Sequence, residues 1–478
     1  MNGADMFVAR DTELQILEEL YRTGTFQLIP VWGRRRVGKT RLLNEFVSGK
    51  PRVYFFTAGE TTARENLERL SSSILAWYDP LGADVGYATN APIFPSFDAA
   101  FARVFEEARE ERTVLVIDEY PYLAKSYPGV SSLLQRLVDA YKDTSKLMLI
   151  LCGSSMTFME HQVLGEKSPL YGRRTAQLKL ETFDYLDASR LLATKDPIRA
   201  VELYSLVGGV PLYLEQLEAA HSTEWNIANR MLGQGRFLYA EPKSFLLQEV
   251  SSPAPYAAVI DAVSSGRSRP NEIADATGIQ GPNVNEYLKR LSELGVVRRD
   301  TPVGRANKKQ VTYRIADNLF RFWHSFVPRY EQAIDFGQTD AVAKRICHND
   351  LATFVGHSFE DVCRQWVIRR MAEGSIDVLP SRVGSWWGTD VIAREQADVD
   401  VVAAGSDGEL VCGECKWTND VVDARVIETL ERRALSVMDQ PSSVHLFVFS
   451  KSGFADSARR EAKRAGNVRL VWIDELFE

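Results

Sequence analysis

FQLIPVWGRRRVGKTRLLNEF, residues 26–46, passes from an apolar run through a glycine-bounded basic loop into a helical pattern. The loop at residues 33–40 has the spacing G-x-x-x-x-G-K-[ST], in the strand, loop and helix context that this motif requires. The glycines let backbone N–H groups point at phosphate oxygens, and the helix adds its positive N-terminal end. The stretch therefore predicts a phosphate-binding loop, with Lys39 reaching the terminal phosphates and the Thr40 hydroxyl ligating Mg²⁺.

A second apolar run, RTVLVIDEYPYL at residues 112–123, contains two adjacent carboxylates. Five consecutive apolar residues predict a central parallel strand that is buried on both faces. The carboxyl end of such a strand is where open α/β sheets bind ligands. An acidic pair after a strand is otherwise typical of a helix N-cap. Because it follows a phosphate-binding loop, we expect Asp118 to belong to the Mg²⁺ shell and Glu119 to polarise the attacking water.

A third apolar run, KLMLILCGSS at residues 146–155, ends in Ser154 and Ser155. These hydroxyls either sense the γ-phosphate or form a plain turn at the end of the strand. Helical patterns separate the apolar runs, and this alternation predicts an α/β fold, a parallel sheet with right-handed crossovers. The expected strands lie near residues 26–32, 52–57, 113–117, 147–151 and 176–181.

Composition is that of an ordinary globular protein with several domains. The 478 residues suggest about three domains. The five cysteines are too few for a disulfide framework, so we expect a reducing, cytoplasmic compartment. No apolar run has the roughly 18 residues of a membrane-spanning helix, and the N-terminus has no apolar signal pattern. We therefore expect no membrane partner.

Charge is distributed unevenly along the chain. The net charge of −7 argues against a protein that coats nucleic acid along its whole surface. Residues 246–330, however, hold 12 Lys and Arg against 8 Asp and Glu. A basic island in an acidic protein points to an anionic partner.

Several motifs together resemble the archaeal-type ATPases, which belong to the signal-transduction NTPases of the AAA-related P-loop class. They are FVAR at residues 7–10, the phosphate-binding loop, the IDE and GSS strand ends, and SPLYGRR at residues 168–174. The resemblance implies that residues 7–10 lie against the adenine, although Ala9 stands where the family usually has glycine. It also implies that Arg173 acts as a γ-phosphate sensor or finger, with Arg174 as the neighbouring candidate. A solvated arginine pair is the alternative.

The same resemblance implies a helical lid after the core. Residues 182–245 are helix-rich by pattern and contain GVP at residues 209–211, the Gly-x-Pro of that lid. A proline after a glycine pair is also simple punctuation at the start of a helix. The residues expected to bind ATP are Arg10, Gly33, Arg34, Arg36, Val37, Gly38, Lys39, Thr40, Arg41 and Pro211.

From residue 254 the pattern changes to three short helices followed by two strands around a Gly/Asn/Lys hairpin. This is the element order of a winged helix, in which the third helix would read DNA. Arg305, Lys308 and Lys309 would then lie on the wing beside phosphates. A winged helix used only for packing is the alternative.

Residues 411–417, VCGECKW, show a strand pattern, in which side chains alternate between the two faces. Cys412 and Cys415 then point in opposite directions and cannot chelate one zinc ion together. Glu414 and Lys416 instead share a face. The functional hypothesis for this stretch therefore rests on Glu414 and Lys416 and not on the cysteines.

Asp400, on a preceding strand pattern, completes an Asp…Glu-x-Lys spacing that resembles the PD-(D/E)xK nuclease-like superfamily. The resemblance implies that Asp400 and Glu414 bind Mg²⁺. It also implies that Lys416 positions or activates water, and that Glu360 is the acidic residue often found on the first helix. We expect residues 381–397 to form a loop that approaches the substrate. A degenerate fold used for packing is the alternative.

The sequence thus predicts an ATPase switch that binds double-stranded DNA and cleaves it with Mg²⁺, and that forms homo-oligomers on nucleotide binding. One alternative is a nucleotide-gated DNA-binding or assembly regulator with an inert nuclease-like domain, and another is a remodeller of proteins. The expected domains are a P-loop ATPase core at residues 1–181, a helical lid at 182–245, a winged helix at 246–318, a helical linker at 319–345 and an α/β restriction-endonuclease-like domain at 346–478.

Overall fold

The computed structural model describes residues 7–75, 92–304 and 310–478. Contacts between residues divide the chain into two units, Met1–Thr182 and Phe183–Glu478. In these described ranges, no helix is both long and apolar enough to cross a membrane.

The first unit is built on a parallel sheet of five strands. They are β1 (Gln27–Trp32), β2 (Val53–Thr57), β3 (Thr113–Asp118), β4 (Leu147–Gly153) and β5 (Leu178–Lys179). Their order is β2-β3-β4-β1-β5, and every neighbouring pair is parallel. Each of the five predicted strands is present, so the prediction of an α/β fold with a parallel sheet is confirmed.

Helices lie on both faces of this sheet. They are α1 (Asp11–Arg22), α2 (Lys39–Val47), α3 (Ala63–Leu75), α4 (Phe97–Glu107), α5 (Tyr120–Ser126), α6 (Val130–Tyr141) and the short α7 (Met156–Phe158), which a π-helical turn, Met159–Val163, continues. One face packs α1 and α2 through Leu17 and Leu42, and the other packs α3 to α6 through Leu70 and Phe101. The central strands β1, β3 and β4 are buried along their whole length, as expected between two helical layers.

The second unit begins with helices. They are α8 (Tyr185–Leu192), α9 (Pro197–Val207), α10 (Pro211–Leu214), α11 (Thr223–Asn226), a π-helical turn (Ile227–Met231) and α12 (Phe237–Glu249). The three short helices and two strands that follow are α13 (Pro253–Ser264), α14 (Pro270–Thr277), α15 (Gly281–Glu293), β6 (Val297–Asp300) and β7 (Thr312–Ile315), with β6 and β7 antiparallel. The hairpin residues Arg305, Lys308 and Lys309 lie outside the described residues.

An aromatic helix, α16 (Asn318–Asp335), connects this hairpin to the rest of the unit. Its Phe320, Phe322, Trp323 and Phe326 are all buried, so the aromatic run is a packing surface. The remaining helices are α17 (Thr339–Asn349), α18 (Leu351–Ala372), α19 (Ala424–Val437) and α20 (Asp456–Ala465), with a 3₁₀ turn at Ile473–Phe477.

A mixed sheet of five strands forms the C-terminal part. Its strands are β8 (Pro380–Thr389), β9 (Gln396–Gly405), β10 (Glu409–Lys416), β11 (Ser443–Ser450) and β12 (Val468–Trp472). The order is β12-β11-β10-β9-β8, with β8, β9 and β10 antiparallel and β10, β11 and β12 parallel. Cys412, Leu446, Ile427 and Ala458 share one apolar cluster, which places α19 and α20 on one face of the sheet. Trp366 of α18 packs on Phe447 and Phe449 on the other face.

The prediction that residues 381–397 form a loop is wrong. Most of the segment is the edge strand β8 and the turn that joins it to β9. Trp386 of β8 is 3% exposed and pairs with Val399. The pairing shifts register between Pro380 and Arg382 and again between Gly384 and Trp386. These irregularities break the period-two pattern by which a strand is recognised in sequence.

Candidate functional site

The phosphate-binding loop connects β1 to α2 where the strands of the first sheet reach their carboxyl ends. Gly38, the N-cap of α2, has φ 87°, and Arg36 has φ 71°, so the loop uses the left-handed backbone region twice. A side chain at Gly33 would clash with the carbonyl oxygen of Leu180. Glycine at this position therefore permits a close approach of the loop to the segment after β5.

Lys39 lies at the centre of the loop and is 5% exposed. Its ammonium donates hydrogen bonds to the carbonyl oxygens of Gly33 and Arg34, both at 3.0 Å. Burial lowers the pKa of Lys39. The loop thus wraps around the Lys39 ammonium, and this arrangement would present the ammonium to phosphate oxygens.

Thr40 and Asp118 come from different elements and meet directly. The Thr40 hydroxyl donates to Oδ2 of Asp118 at 2.8 Å, while Oδ1 of Asp118 accepts from the backbone N–H of Glu119 at 3.0 Å. Asp118 is 2% exposed. A hydroxyl and a carboxylate are hard oxygen ligands of the kind that Mg²⁺ prefers, so the residues present fit this ion.

Glu119 is the N-cap of α5 and adopts the left-handed conformation, with φ 51°. Its carboxylate accepts a hydrogen bond from the Ser154 hydroxyl at 2.7 Å and from the Ser154 backbone N–H at 3.4 Å. The serine at the end of β4 therefore contacts the predicted water-polarising acid. The sequence predicted that Ser154 senses the γ-phosphate or forms a turn, and it did not predict this contact.

The N-terminal segment reaches the phosphate-binding loop through Arg10. Its guanidinium donates to the carbonyl oxygens of Val37 at 3.1 Å and Glu181 at 2.6 Å, and it pairs with Glu13 at 2.9 Å. Ala9 has φ 63°, a conformation that favours glycine, the residue the resembling family usually has there. Arg10 thus ties this segment to the backbone of the loop.

Other predicted nucleotide-site residues lie at several places in the fold. Arg34 is in the loop, and Arg41 is in the first turn of α2. Arg173 forms a two-pronged pair with Asp139 of α6, at 2.7 and 2.8 Å, a partner that the sequence did not suggest. Pro211 opens α10 and is buried within the second unit.

The Glu-x-Lys pair of β10 has the predicted geometry. The Lys416 ammonium donates to Oε1 of Glu414 at 2.7 Å, so the two side chains share a face. Arg433 of α19 lies 3.8 Å from the other Glu414 oxygen, a second cation that was not predicted. Cys412 packs into the apolar cluster beneath α19, whereas Cys415 lies beside Cys363 of α18, so the two cysteines point to opposite faces.

Asp400 of β9 lies next to this pair. Its carboxylate accepts a hydrogen bond from the Cys415 backbone N–H at 2.8 Å. Burial raises the pKa of Asp400 well above its usual range, and the nearby carboxylates of Glu414 and Glu360 raise it further. Crowded carboxylates are the donors that a divalent cation requires. In the part of the chain that the structure describes, however, no three His, Cys, Asp or Glu side chains are arranged to hold a metal ion.

Glu360 of α18 is held by other partners. It lies 3.5 Å from His357 and 3.9 Å from Arg314 of β7. Its neighbour Asp361, which the sequence did not single out, accepts from Arg298 of β6 at 2.6 Å. Basic residues of the predicted DNA-binding region therefore face inward towards α18.

Comparisons with known proteins identify two regions of the chain. Residues 7–217 match an ATPase domain found predominantly in Archaea, and residues 323–427 match archaeal and bacterial proteins of unknown function. Uncharacterized protein MJECL04 of Methanocaldococcus jannaschii is 28% identical over 415 residues, covering 86% of this chain and 88% of its own. Uncharacterized ATP-binding protein MJ0423 of the same organism is 46% identical over 50 residues, 10% of this chain and 85% of its own.

Solved structures also resemble this chain. The Walker-type ATPase PABY2304 of Pyrococcus abyssi has a TM-score of 0.48 at 21% identity, covering 66% of this chain and 96% of its own. The ORC2 protein of Aeropyrum pernix, in its ADPNP–ADP complexes, has a TM-score of 0.41 at 14% identity, covering 72% of this chain and 98% of its own.

Proposed function

We propose that this chain, whose residues 7–217 match an ATPase domain found predominantly in Archaea, binds ATP with Mg²⁺ and hydrolyses it as a slow switch. The observation that carries the proposal is the 2.8 Å hydrogen bond from Thr40 to Asp118. It joins the phosphate-binding loop to the acidic end of β3, the two elements that a nucleotide and its cation need together.

Each residue of this edge has a role set by its position. Lys39 binds the β- and γ-phosphates, exchanging the loop carbonyls for phosphate oxygens. Thr40 and Asp118 hold Mg²⁺, which neutralises charge on the phosphates when it is bound. Glu119 orients the attacking water and accepts its proton.

The contacts of Glu119 and Arg173 support slow basal turnover. Glu119 is bound to Ser154, and Arg173 is bound to Asp139. Arg173 must leave Asp139 before it can contact the γ-phosphate, and Ser154 competes with water for the oxygens of Glu119. A partner, or assembly on nucleotide binding, would supply the rearrangement, as in other switch NTPases.

Replacing Thr40 by alanine is expected to weaken binding of Mg²⁺–ATP by at least about tenfold, since removing even an outer-shell partner of a metal costs that much. Binding of ATP in the presence of EDTA should change little. A fluorescent ATP analogue, titrated with and without Mg²⁺, measures both affinities. Ser48→Ala, at the C-cap of the same helix, is the matched control. Equal Mg²⁺ enhancement in wild type and Thr40→Ala would refute the assignment.

We further propose Mg²⁺-dependent DNA cleavage by the C-terminal sheet, with Asp400 and Glu414 as metal ligands and Lys416 beside the attacking water. The raised pKa of Asp400 supports a cation site, because a divalent ion would offset the crowding of carboxylates there. The ion pairs Lys416–Glu414 and Arg314–Glu360 oppose a cation site, because they already neutralise two of the carboxylates. Cleavage would thus require these pairs to rearrange. If they do not rearrange, the nuclease-like domain is inert and the protein is the nucleotide-gated regulator.

Helices α13 to α15 and the β6–β7 hairpin would form the DNA-binding winged helix of this proposal. The arginines Arg298 and Arg314 face α18, so phosphate contacts would fall to exposed residues such as Lys289 and Arg299 and to the hairpin residues.

Nicking of supercoiled plasmid is expected with Mg²⁺ or Mn²⁺ and ATP, and Asp400→Ala should abolish it. The alanine removes a metal ligand, while Asp407→Ala removes an exposed acid from the β9–β10 turn and should leave nicking intact. Gel electrophoresis of the plasmid forms measures the result. If wild type nicks with neither metal, the nuclease role fails and the regulatory alternative stands.

A further inference from the structure

Three parallel strands of the C-terminal sheet end together, and their last residues are in register. Lys416 of β10 is paired with Ser450 of β11, which is paired with Trp472 of β12. Strands in a sheet lie about 4.8 Å apart, so the lysine and the tryptophan backbones are separated by roughly 10 Å. We call these residues, with the adjoining Lys451, the carboxyl edge.

The side chains of this row lie on one face. Leu446 and Val448 of β11 belong to the apolar cluster beneath α19 and α20, as does Cys412 of β10. Alternation then places Ser450 and Lys416 on that face as well. Leu470 of β12 packs against the same cluster, so Trp472, two residues later on that strand, lies on the same face. The row therefore lies on the face that carries Glu414.

Trp472 is 48% exposed although it is the largest side chain of the row. Its indole N–H donates to the carbonyl oxygen of Lys451 at 3.1 Å, and the Lys451 N–H donates to the carbonyl oxygen of Lys416 at 3.1 Å. These bonds orient the indole while leaving part of it open to solvent. An oriented, exposed ring is a surface on which a planar group can stack.

The helix that follows β11, α20, is basic, with four basic and two acidic residues in Asp456–Ala465. The acids Asp474, Glu475 and Glu478 lie just after Trp472 in the chain, so the positive charge near the carboxyl edge belongs to Lys451 and α20. All four basic residues of α20, Arg459, Arg460, Lys463 and Arg464, are exposed, and Arg464 pairs with Glu461. In an acidic chain, such a patch attracts an anionic partner locally.

We propose that the carboxyl edge binds a single-stranded nucleic acid, with Trp472 stacking on an unpaired base and Lys451 and α20 contacting phosphates. Exposed aromatics beside a cationic track are how proteins bind unpaired strands, because every base offers a face to stack on. A base within a duplex offers no free face. The inference rests on the proposed DNA-handling role and deepens it, since it assigns an unpaired strand rather than a duplex to this site.

Binding of a fluorescently labelled oligo-dT, followed by anisotropy at low salt without metal or nucleotide, tests the inference. Trp472→Ala is expected to weaken binding roughly tenfold, in the range of stacking losses from alanine substitution, and Trp472→Phe should retain most of it. Phe336→Ala removes another aromatic side chain, 79% exposed at the end of α16, and is the control. Lys451→Gln with Arg460→Gln should make the slope of log affinity against log salt shallower by about 1.4.

Several outcomes would overturn this inference. They are unchanged affinity in Trp472→Ala, equal losses in Trp472→Ala and Phe336→Ala, and an equal loss of affinity for a blunt duplex. Wild type that binds an acidic peptide or anionic vesicles but no oligonucleotide would equally overturn it. Thermal melting confirms that each variant is folded. Because no cleavage is measured, loss of plasmid nicking in Asp400→Ala and loss of strand binding in Trp472→Ala are independent results.

Discussion

Replacing Asp361 by asparagine is expected to lower the free energy of unfolding by roughly 2–4 kcal/mol. The carboxylate accepts from Arg298 at 2.6 Å and from Arg364 at 2.5 Å, and Arg314 is also close enough to stabilise it. A neutral amide removes one counter-charge from this arginine cluster and leaves Asp300 to pair with Arg298 and Arg314. Removing one partner is the costly way to break such a pair. We expect less than the roughly 3–5 kcal/mol of fully buried pairs, because 27% of the Asp361 side chain is exposed.

The pH dependence of this effect has a definite sign. Burial alone raises the pKa of Asp361, but Arg298, Arg364 and Arg314 overcome it and hold the pKa well below its usual range. A carboxyl with a lowered folded-state pKa contributes stability above its unfolded pKa of about 3.9 and loses it as the pH falls towards the folded value. The difference between wild type and Asp361→Asn should therefore be constant from about pH 7 to pH 5 and shrink below about pH 4.

Urea unfolding followed by tryptophan fluorescence, repeated across this pH range, measures both effects. Asp407→Asn changes an exposed aspartate in the β9–β10 turn and should match wild type at every pH. Equal midpoints for Asp361→Asn and wild type at pH 7 would show that the arginine cluster does not stabilise the fold.

The two aspartates of the C-terminal part show what a sequence pattern can encode. Glu414 and Lys416 could be assigned to one face because alternation along a strand is a local property, and Asp400 followed from their spacing. Asp361 forms a local i, i+3 pair with Arg364, which is an ordinary helix pattern, but its contact with Arg298 joins residues 63 positions apart on different elements. No local pattern marks that second contact. The pKa shifts of Asp361 and Asp400 even have opposite directions, which composition could not indicate.

The same distinction holds for the fold. The parallel strands of the first unit were predicted because strands buried on both faces read as continuous apolar runs. The edge strand β8 has neither a continuous apolar run nor a regular alternation, since Gly384, Gly388 and two register shifts interrupt it. Its pairing with β9 is a tertiary property that overrides the local signal.

At the nucleotide site, contacts between motif residues could be predicted from sequence, whereas contacts with residues outside the motifs could not. The contact between Thr40 and Asp118 follows from two short motifs whose chemistry requires them to meet. The contact of Ser154 with Glu119 was not predicted, because the polar end of β4 indicated only a γ-phosphate sensor or a turn. Asp139, which holds Arg173, had no signal at all because an aspartate on an exposed helix face is common.

Replacing Glu119 by glutamine is expected to lower the rate of ATP hydrolysis roughly 10²–10⁴-fold, the usual contribution of a general base. Glutamine keeps the length of the side chain and one oxygen that can accept from the Ser154 hydroxyl, as Glu119 does at 2.7 Å. It cannot take a proton from water. Binding of ATP should be unchanged, because Lys39, Thr40 and Asp118 remain in place.

Single-turnover hydrolysis of Mg²⁺–ATP measures the chemical step even if the basal rate is slow, and titration of a fluorescent analogue measures binding separately. Glu60→Gln removes a carboxylate that is 62% exposed and paired with Lys125, and it should leave both quantities unchanged. A Glu119→Gln protein that hydrolyses at the wild-type rate would exclude Glu119 as the base. A protein that has also lost ATP affinity would show that Glu119 shapes the binding site. Only loss of the chemical step with affinity retained assigns proton transfer to this carboxylate, because the substitution changes its proton affinity far more than its shape.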